Sequence, residues 1–526
     1  MKVVSTAEMR ELERRAMAEW KVPGRVLMDR AGLGLADFID ELHGARDYVD
    51  RAIRLIAGRG NNGGDIFAAA YHLSRLNYTV EVWLAGALAD VRGDALTHLS
   101  RLKAKRLRVR ALPTADEWED EIALVRRHGA SDPPIVVDGV LGTGLKGPAR
   151  GPSGSAIRWI NAQSAYSLVV AADVPSGLDS DTGCAEGDAV RADYTVTMGL
   201  PKRGLVEPAA ADHVGRLAVV SLGLPDDFPE KAEAGLDLIV QDDLRPLFPR
   251  RPRAAHKGAF GRLLIVGGAA GYAGAAGLAV RAALRSGAGL VTAVVPRSIA
   301  PVVAGLAPEA MVHGAPETEA GSLAAAGWPE WAGRLRDFSA VAAGPGMTRH
   351  PETAEWIGRL LAECRAPLAL DADALNAYAG RLDALADRQC PLVITPHPGE
   401  MARLLGIGAD AVQARRFDMA RDAAARARAA VVLKGAGTLV AEADRPLAVN
   451  MAGNPGMAAG GMGDVLTGLL GGLLAQGLEP YDAARAAVFL HGRAGDRAAV
   501  FKSEAGLTAG DLILELPGAF DELSPR

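Results

Sequence analysis

The chain has 526 residues, 49% hydrophobic and 23% charged, with a formal net charge of -5. That is ample for a large core and too much for one ordinary domain, so at least two are expected. The 58 Lys and Arg are spread rather than massed, which argues against nucleic acid as a partner. Cys184, Cys364 and Cys390 lie far apart, without CxxC spacing or nearby histidine pairs. That argues against a disulfide framework or a structural zinc site and fits a reducing cytoplasm.

At the start of the chain, "MKVVSTAEMRELERRA" places Ser5 and Glu8 at capping-box spacing, with Met9, Leu12 and Ala16 on one helical face. That pattern is no signal peptide. No charge-free apolar run reaches the roughly 18–20 residues of a membrane span, so a soluble, cytoplasmic protein without membrane partners is expected.

Short β-rich runs then alternate with Ala/Leu-rich helical runs, the pattern of parallel sheets flanked by helices. Candidate strands are "AIRLIAG", "TVEVWLAG", "PIVVDG", "SLVVAADV" and "YTVTMG" in the first half. In the second they are "RLLIVGG", "GLVTAVV", "AVAAGPG", "APLALDAD", "PLVITPH" and "AVVLKGAG". Between the series, Pro225, Pro229, Pro246, Pro249 and Pro252 mark a boundary. The expected organisation is two three-layer αβα domains, 1–224 and 245–526, joined by a linker at 225–244.

The first series runs into "GRGNNGGD", where Asn61 and Asn62 offer amides to a polar ligand and Asp65 starts the next helix. The spacing is not the dinucleotide GxGxxG fingerprint. Asp138 and Asp173 each end a buried run, where a carboxylate is costly unless it meets a cation, a substrate or local amides.

"GRGNNGGD", "VDGVLGTGLKGPARG", "AADVPSGLDSDTG" and "TVTMGLPKRGL" in that order resemble the NAD(P)H-hydrate epimerase domain, or YjeF N-terminal domain, a Rossmann-like fold, over roughly residues 1–222. The resemblance implies that Asn61, Asn62, Gly63, Gly64, Asp65, the loop Gly142, Thr143, Gly144, Leu145, Lys146, Gly147 and Pro148, and Asp173 contact the hydrated cofactor. It implies potassium on Asn62, Asp138 and Ser176. Inverting C6 of the hydrate then falls to Asp173 as acid/base, with Lys146 as its partner. Two positions depart from the family pattern: Ile66 replaces a glycine, and Arg30 lies in "LMDRAG" where Met-Glu-Asn-Ala-Gly is common.

In the second half, "GNPGMAAGGMGDVLTG" (453–468) puts Asp464 behind a glycine-rich loop and before an apolar helical run. The loop amides and helix N-terminus suit an anion, so the acid reads as a base working beside it. Lys434, followed by Gly435 and Gly437, reads as a phosphate-holding loop without P-loop spacing. His397, between two prolines, reads equally well as a turn residue or a ligand.

The order "HKG", "LLIVGG", "DADALN", "TPHPGE", "KGAGT", "GNPGMAAGGMGD", "HGRAGD" resembles the ADP-dependent NAD(P)H-hydrate dehydratase family, with a ribokinase-like fold, over roughly 245–520. Both halves together resemble the bifunctional NAD(P)H-hydrate repair enzymes, whose substrates are the NADH and NADPH hydrates (NADHX, NADPHX) and ADP. The resemblance implies Asp464 as catalytic base and Ala275, Gly344, His397 and Asp464 around the hydrate. It implies nucleotide on Lys434, Gly435, Ala436, Gly437, Thr438 and Gly463, magnesium positioned with help from Glu400, and a homo-oligomer. The alternative is a ribokinase-class kinase of a vitamin-precursor alcohol, with a non-catalytic ligand-binding first domain. His397 tips the choice, because such kinases carry an asparagine near that point.

Overall fold

Strands Ile135–Gly139 and Leu168–Ala172 are buried at every residue, which requires helices over both faces of their sheet. A computed structural model describes residues 1–45, 52–128, 135–224 and 235–524. They divide into two units, Met1–Leu236 and Asp237–Arg526, each built on one sheet.

The strands of the first sheet are β1 (Ala52–Ala57), β2 (Thr79–Leu84), β3 (Val109–Ala111), β4 (Ile135–Gly139), β5 (Leu168–Ala172), β6 (Tyr194–Met198) and β7 (Arg216–Val220). They are ordered β3-β2-β1-β4-β5-β6-β7 and all paired parallel. The order reverses direction between β1 and β4, so a crevice opens there at the carboxyl edge. β3 and β7 escape the sequence reading: β3 has three residues, and no residue of either is fully buried. One face is filled by Leu55, Phe67, Leu73 and Val137, the other by Trp83, Trp118 and Trp159. The first helix, Thr6–Glu19, has the expected capping box and buries Met9, Leu12 and Ala16.

The second sheet comprises β8 (Leu236–Leu238), β9 (Arg262–Val266), β10 (Leu290–Pro296), β11 (Met311–Ala315), β12 (Ala340–Ala343), β13 (Leu368–Leu370), β14 (Leu392–Ile394), β15 (Ala430–Leu433), β16 (Thr438–Ala441) and β17 (Leu447–Asn450). Its order is β11-β10-β9-β12-β13-β14-β15-β16-β17-β8. β9 to β15 pair parallel, while β16 is antiparallel to both its neighbours. Of the expected linker 225–244, residues 225–234 lie outside the described residues, while residues 236–238 form the edge strand β8 and Gln241–Leu244 a helical turn.

The apolar run after Asp464 forms the helix Met462–Ala475, buried from Val465 to its end. Its glycines are explained by contact. A Cβ on Gly468 would stand 1.9 Å from the Ala279 carbonyl oxygen, so the neighbouring small-residue helix Ala273–Arg285 approaches at backbone distance. Among the described residues no helix is long and apolar enough to cross a membrane, and no cluster of three His, Cys, Asp or Glu side chains is arranged to hold a metal.

Candidate functional site

In a parallel sheet every carboxyl end lies on one edge, so turns distant in sequence are brought together. In the first unit the adjacent strands β1, β4 and β5 deliver "GRGNNGGD", Asp138 and Asp173. The helix begins at Asn61, so Asp65 lies in its second turn rather than starting it. Asn62 is buried, its Nδ2 donates to the Leu141 carbonyl at 2.8 Å, and its Oδ1 has no partner. Asp138 is fully buried; its Oδ1 accepts from Ser176 Oγ at 2.6 Å and Val140 N at 3.1 Å, its Oδ2 from Ser176 N at 2.8 Å. Burial pushes this carboxyl up to about 6 against those hydrogen bonds. Asn62, Asp138 and Ser176 thus converge at Leu141, whose amide donates to Ser176 Oγ at 2.8 Å. An orphaned buried amide oxygen beside a desolvated carboxyl suits a monovalent cation.

Asp173 follows β5 with φ +65°, held by its amide on the Val196 carbonyl at 2.8 Å. Its Oδ1 accepts from Met198 N at 3.2 Å, Thr197 Oγ1 at 3.2 Å and the ammonium of Lys202. Lys202 is 2% exposed and also donates to the Met198 carbonyl at 3.0 Å. The partner of Asp173 is therefore Lys202; Lys146 is exposed on its loop. Lys202 lies within "TVTMGLPKRGL", but a lysine in a polar turn reads as solvated until the neighbouring strand is placed. Burial, reinforced by Asp173 and Glu13, holds the Asp65 carboxyl well above the ordinary range. The loop 142–148 lies alongside: a Cβ on Gly142 would stand 3.2 Å from Asn62 Cβ. Ile66 is wholly buried against Gly139, and Arg30 donates to the carbonyls of Leu222 and Gly223 at 2.9 and 2.8 Å. Both departures therefore serve packing.

In the second unit, β12 to β15 end successively at Gly344, Asp371, the turn before His397, and Lys434. Gly344 has φ +134°, and a Cβ there would lie 1.8 Å from the Asp371 carbonyl, so only glycine fits. Ala275 opens the opposing helix beside the same turn, 3.1 Å from a Cβ built on Gly346. Asp371, 2% exposed, accepts from Lys434 Nζ and from Thr467 Oγ1, both at 2.7 Å. Glu400 lies 3.7 Å from the same ammonium. Burial lowers the Lys434 pKa, but Asp371, Glu400 and Asp464 outweigh it, so it is held above its ordinary value. A Cβ on Gly463 would stand 3.4 Å from Lys434 Nζ, which brings the helix N-terminus onto the lysine loop. Asp464 sits in that first turn; burial, then Asp371 and Asp373, push its carboxyl up to about 6 against the pull of Lys434.

His397 is both turn residue and site residue. Its Nδ1 accepts from Gly399 N at 3.0 Å and Glu400 N at 3.3 Å, capping the helix Pro398–Leu405. Burial holds the imidazole below its usual pKa, so its remaining proton is on Nε2, which lies 3.4 Å from Glu400 Oε1.

Four residues the sequence reading left without a role hold this site in shape. Besides Asp371, buried Arg416 donates to the carbonyls of Leu433 and Lys434 at 3.2 Å and of Gly437 at 3.3 Å, fixing the loop that contains Gly435, Ala436 and Thr438. Asp496 accepts from Gly453 N at 3.1 Å and Asn454 Nδ2 at 3.2 Å. His491, which burial lowers to about 4 and so keeps neutral, donates from Nε2 to the Met462 carbonyl at 2.9 Å. "HGRAGD" thus braces "GNPGMAAGGMGD" at both ends. Beside the Gly344 turn, a cavity of about 200 Å³ is lined by Met347, Thr348, Asp373 and Asn376 among others.

Residues 263–517 match the family model described as NAD(P)H-hydrate dehydratase, and residues 24–204 match that of the YjeF-related protein N-terminus. The chain is 41% identical to the bifunctional NAD(P)H-hydrate repair enzyme Nnr of Moorella thermoacetica, covering 98% of this chain and 96% of that one. It is 38% identical to the Nnr of Coxiella burnetii, covering 97% of each. Among solved structures, the ADP/ATP-dependent NAD(P)H-hydrate dehydratase of Bacillus subtilis, co-crystallised with ATP and Mg2+, is 30% identical with a TM-score of 0.49, covering 55% of this chain and 99% of that chain.

Proposed function

Because the chain belongs to the bifunctional NAD(P)H-hydrate repair enzyme family, we propose that its two sites divide the restoration of hydrated NADH and NADPH between them. The first unit interconverts the R and S hydrates. The second dehydrates the S hydrate, with ADP as the proposed phosphoryl donor.

The observation that carries the second half is Asp464 in the first turn of a buried helix, with Gly463 against Lys434. Asp464 takes the proton of the C6 hydroxyl as its oxygen attacks the β-phosphorus of ADP, releasing AMP. The amides of residues 460–463 and the Lys434 ammonium meet the negative charge that develops on the phosphoryl oxygens. Phosphate then departs with its electron pair as the ring nitrogen's lone pair forms a C=N bond, and loss of a C5 proton restores the dihydropyridine. A carboxyl poised near 6 suits a base at neutral pH. Lys434, Gly435, Ala436, Gly437 and Thr438 hold the nucleotide; Ala275, Gly344 and His397 hold the hydrate. Glu400, 7% exposed, accepts from His397 N at 2.8 Å and lies 3.7 Å from Lys434 Nζ; it is the carboxylate that would help position magnesium.

In the first unit Asp173 serves as acid/base at C6, with Asn61, Asn62, Gly63, Gly64, Asp65 and the loop 142–148 around the substrate. Asn62, Asp138 and Ser176 would hold potassium, supported by the orphaned Asn62 Oδ1. Bound there, the ion would neutralise Asp138 and fix the neighbouring loop.

Product analysis tests this reading against the kinase alternative. S-NADH hydrate and ADP should give NADH, AMP and phosphate in equal amounts. Accumulation of a stable phosphorylated organic product would overturn it.

A further inference from the structure

The loop 142–148, which the epimerase reading places around the hydrate, has little in its own chain to hold one conformation. A Cβ on Gly144 would meet nothing within 4 Å, and Gly147 has φ +73°, so the backbone is permissive. The root of the loop is fixed, since the Leu141 amide donates to Ser176 Oγ at 2.8 Å. Beyond it, among the described residues, one internal hydrogen bond joins Leu145 N to the Gly142 carbonyl at 3.3 Å. A single one arrives from another segment: Arg10 Nη2 donates to the Thr143 carbonyl at 2.9 Å.

That donor stands on a firm base. Arg10 lies on the helix Thr6–Glu19, which precedes the segment 24–204 that matches the epimerase family model. The capping box of Ser5 and Glu8 closes the first turn of the helix. Ahead of it, Val4 forms a parallel bridge to Lys202, its amide on the Pro201 carbonyl at 3.0 Å and its carbonyl accepting from Arg203 N at 2.8 Å. Thr6 N donates to Asp181 Oδ1 at 2.6 Å, and the buried Thr6 and Ser180 hydroxyls are 2.7 Å apart. Met9 covers Gly199, its Cε 2.6 Å from where a Cβ there would stand. The helix is thereby pinned to the turns after β5 and β6, and Arg10 extends it to the loop after β4. Other arginines of the helix pair locally, Arg14 with Glu11 at 2.6 Å and Arg15 with Glu19 at 2.8 Å. Arg10 instead reaches across 133 residues.

A loop that must be ordered when its ligand arrives costs binding free energy, and one already held in place costs less. The Arg10 contact is to main chain, so it fixes the path of the loop without replacing any group that meets the hydrate. It is made in the ground state and the transition state alike, so it acts on affinity rather than on the chemical step.

We propose that Arg10 is a positioning residue of the epimerase site, a latch that holds the loop 142–148 in its substrate-binding path and so sets the affinity for the hydrate. The proposal rests on the epimerase reading of the first unit.

The test follows R and S NADH hydrate by chromatography on the full-length chain without ADP, comparing Arg10→Met and Arg10→Lys with the unmodified protein. Arg10→Met keeps the apolar stem and removes the donor; it should raise KM about fivefold with kcat within about twofold. Arg10→Lys keeps a cationic donor and should return KM to within about twofold of the unmodified value. Trypsin should cut after the exposed Lys146, inside the loop, at least about threefold faster in Arg10→Met, read by mass spectrometry. ADP-driven dehydration of the S hydrate on the same preparations should be unchanged. An Arg10→Met KM within about twofold of the unmodified value would overturn the proposal. So would a loss confined to kcat, as a merely destabilised unit would give, an Arg10→Lys KM no better than that of Arg10→Met, or an unchanged cleavage rate. Failure of the unmodified chain to interconvert the hydrates would overturn the epimerase reading itself, and the cleavage rate after Lys146 would still decide whether Arg10 holds the loop.

Discussion

Replacing Lys202 by Met keeps a buried stem of similar length but removes the ammonium from Asp173. Lys202 is 2% exposed and the Asp173 side chain 16%. The carboxylate would keep Thr197 Oγ1 and Met198 N, each at 3.2 Å, as donors. Breaking a buried ion pair from one side costs about 3–5 kcal/mol, and the partial exposure of Asp173 argues for the lower end, about 3 kcal/mol. For a unit of this size about 1 kcal/mol shifts Tm by about 2–4 °C, so the transition of the first unit should fall by about 6–12 °C. Lys202→Met with Asp173→Asn leaves a neutral amide where the unpaired charge was and should regain about 2 kcal/mol. Both variants should lose epimerase activity by more than about 100-fold, separating stability from catalysis. Scanning calorimetry of the full chain reads the first transition. A single variant with unchanged Tm, or a double variant no more stable than the single, would rule out a stabilising buried pair between Lys202 and Asp173.

Three further outcomes are expected. Asp464 must be ionised to act as base, so kcat/KM for dehydration should rise with pH through about 6 and level off above it; a profile flat across that range would contradict the assignment. Asp138 has its carboxyl raised from 3.8 to about 6, so its stabilising contribution, about 3 kcal/mol, is present below about pH 4 and is lost as pH rises through about 6. A cation beside the carboxylate offsets that loss, so potassium chloride should raise the Tm of the first unit at about pH 8 more than at about pH 5, and Asp138→Asn should remove the difference. Arg416→Met orphans the carbonyls that hold the 434–438 loop and should raise KM for ADP about tenfold with a smaller effect on kcat, read from initial rates.

The parallel sheets were legible because their strands are unbroken apolar runs ending in Gly, Asp or Pro, and a parallel sheet places all those ends on one edge. Asn62, Asp138, His397 and Lys434 stand at or just beyond such ends, whereas Ser176 and Gly344 were named through the family resemblance alone. The strands not legible were wet or short: each residue of "RLAVV" in β7 is half-buried and β11 is largely open, β3 and β8 have three residues, and β16 and β17 are four-residue antiparallel strands without the apolar-run-then-turn signature. Nor were the groups that hold the sites in shape. Lys202 reaches Asp173 across 29 residues and Thr467 reaches Asp371 across 96, so each looks like an ordinary polar residue in its own segment. Arg416 belongs to no sequence motif, although its buried guanidinium donates to the carbonyls of Leu433, Lys434 and Gly437. Lys146 is likewise the lysine that a glycine-rich loop suggests, whereas the β5–β6 pairing that brings Lys202 to Asp173 is not visible in one dimension.

The proposed function requires one chain to restore both hydrate epimers. The most direct measurement is recovery of absorbance at 340 nm from a mixed R and S NADH-hydrate preparation with ADP, magnesium and potassium, comparing the unmodified chain with Asp464→Asn. Complete recovery, with the R fraction converting faster than its spontaneous rate and all recovery lost in the variant, is the expected result. Recovery confined to the S fraction, or recovery that survives loss of the Asp464 carboxylate, would contradict it.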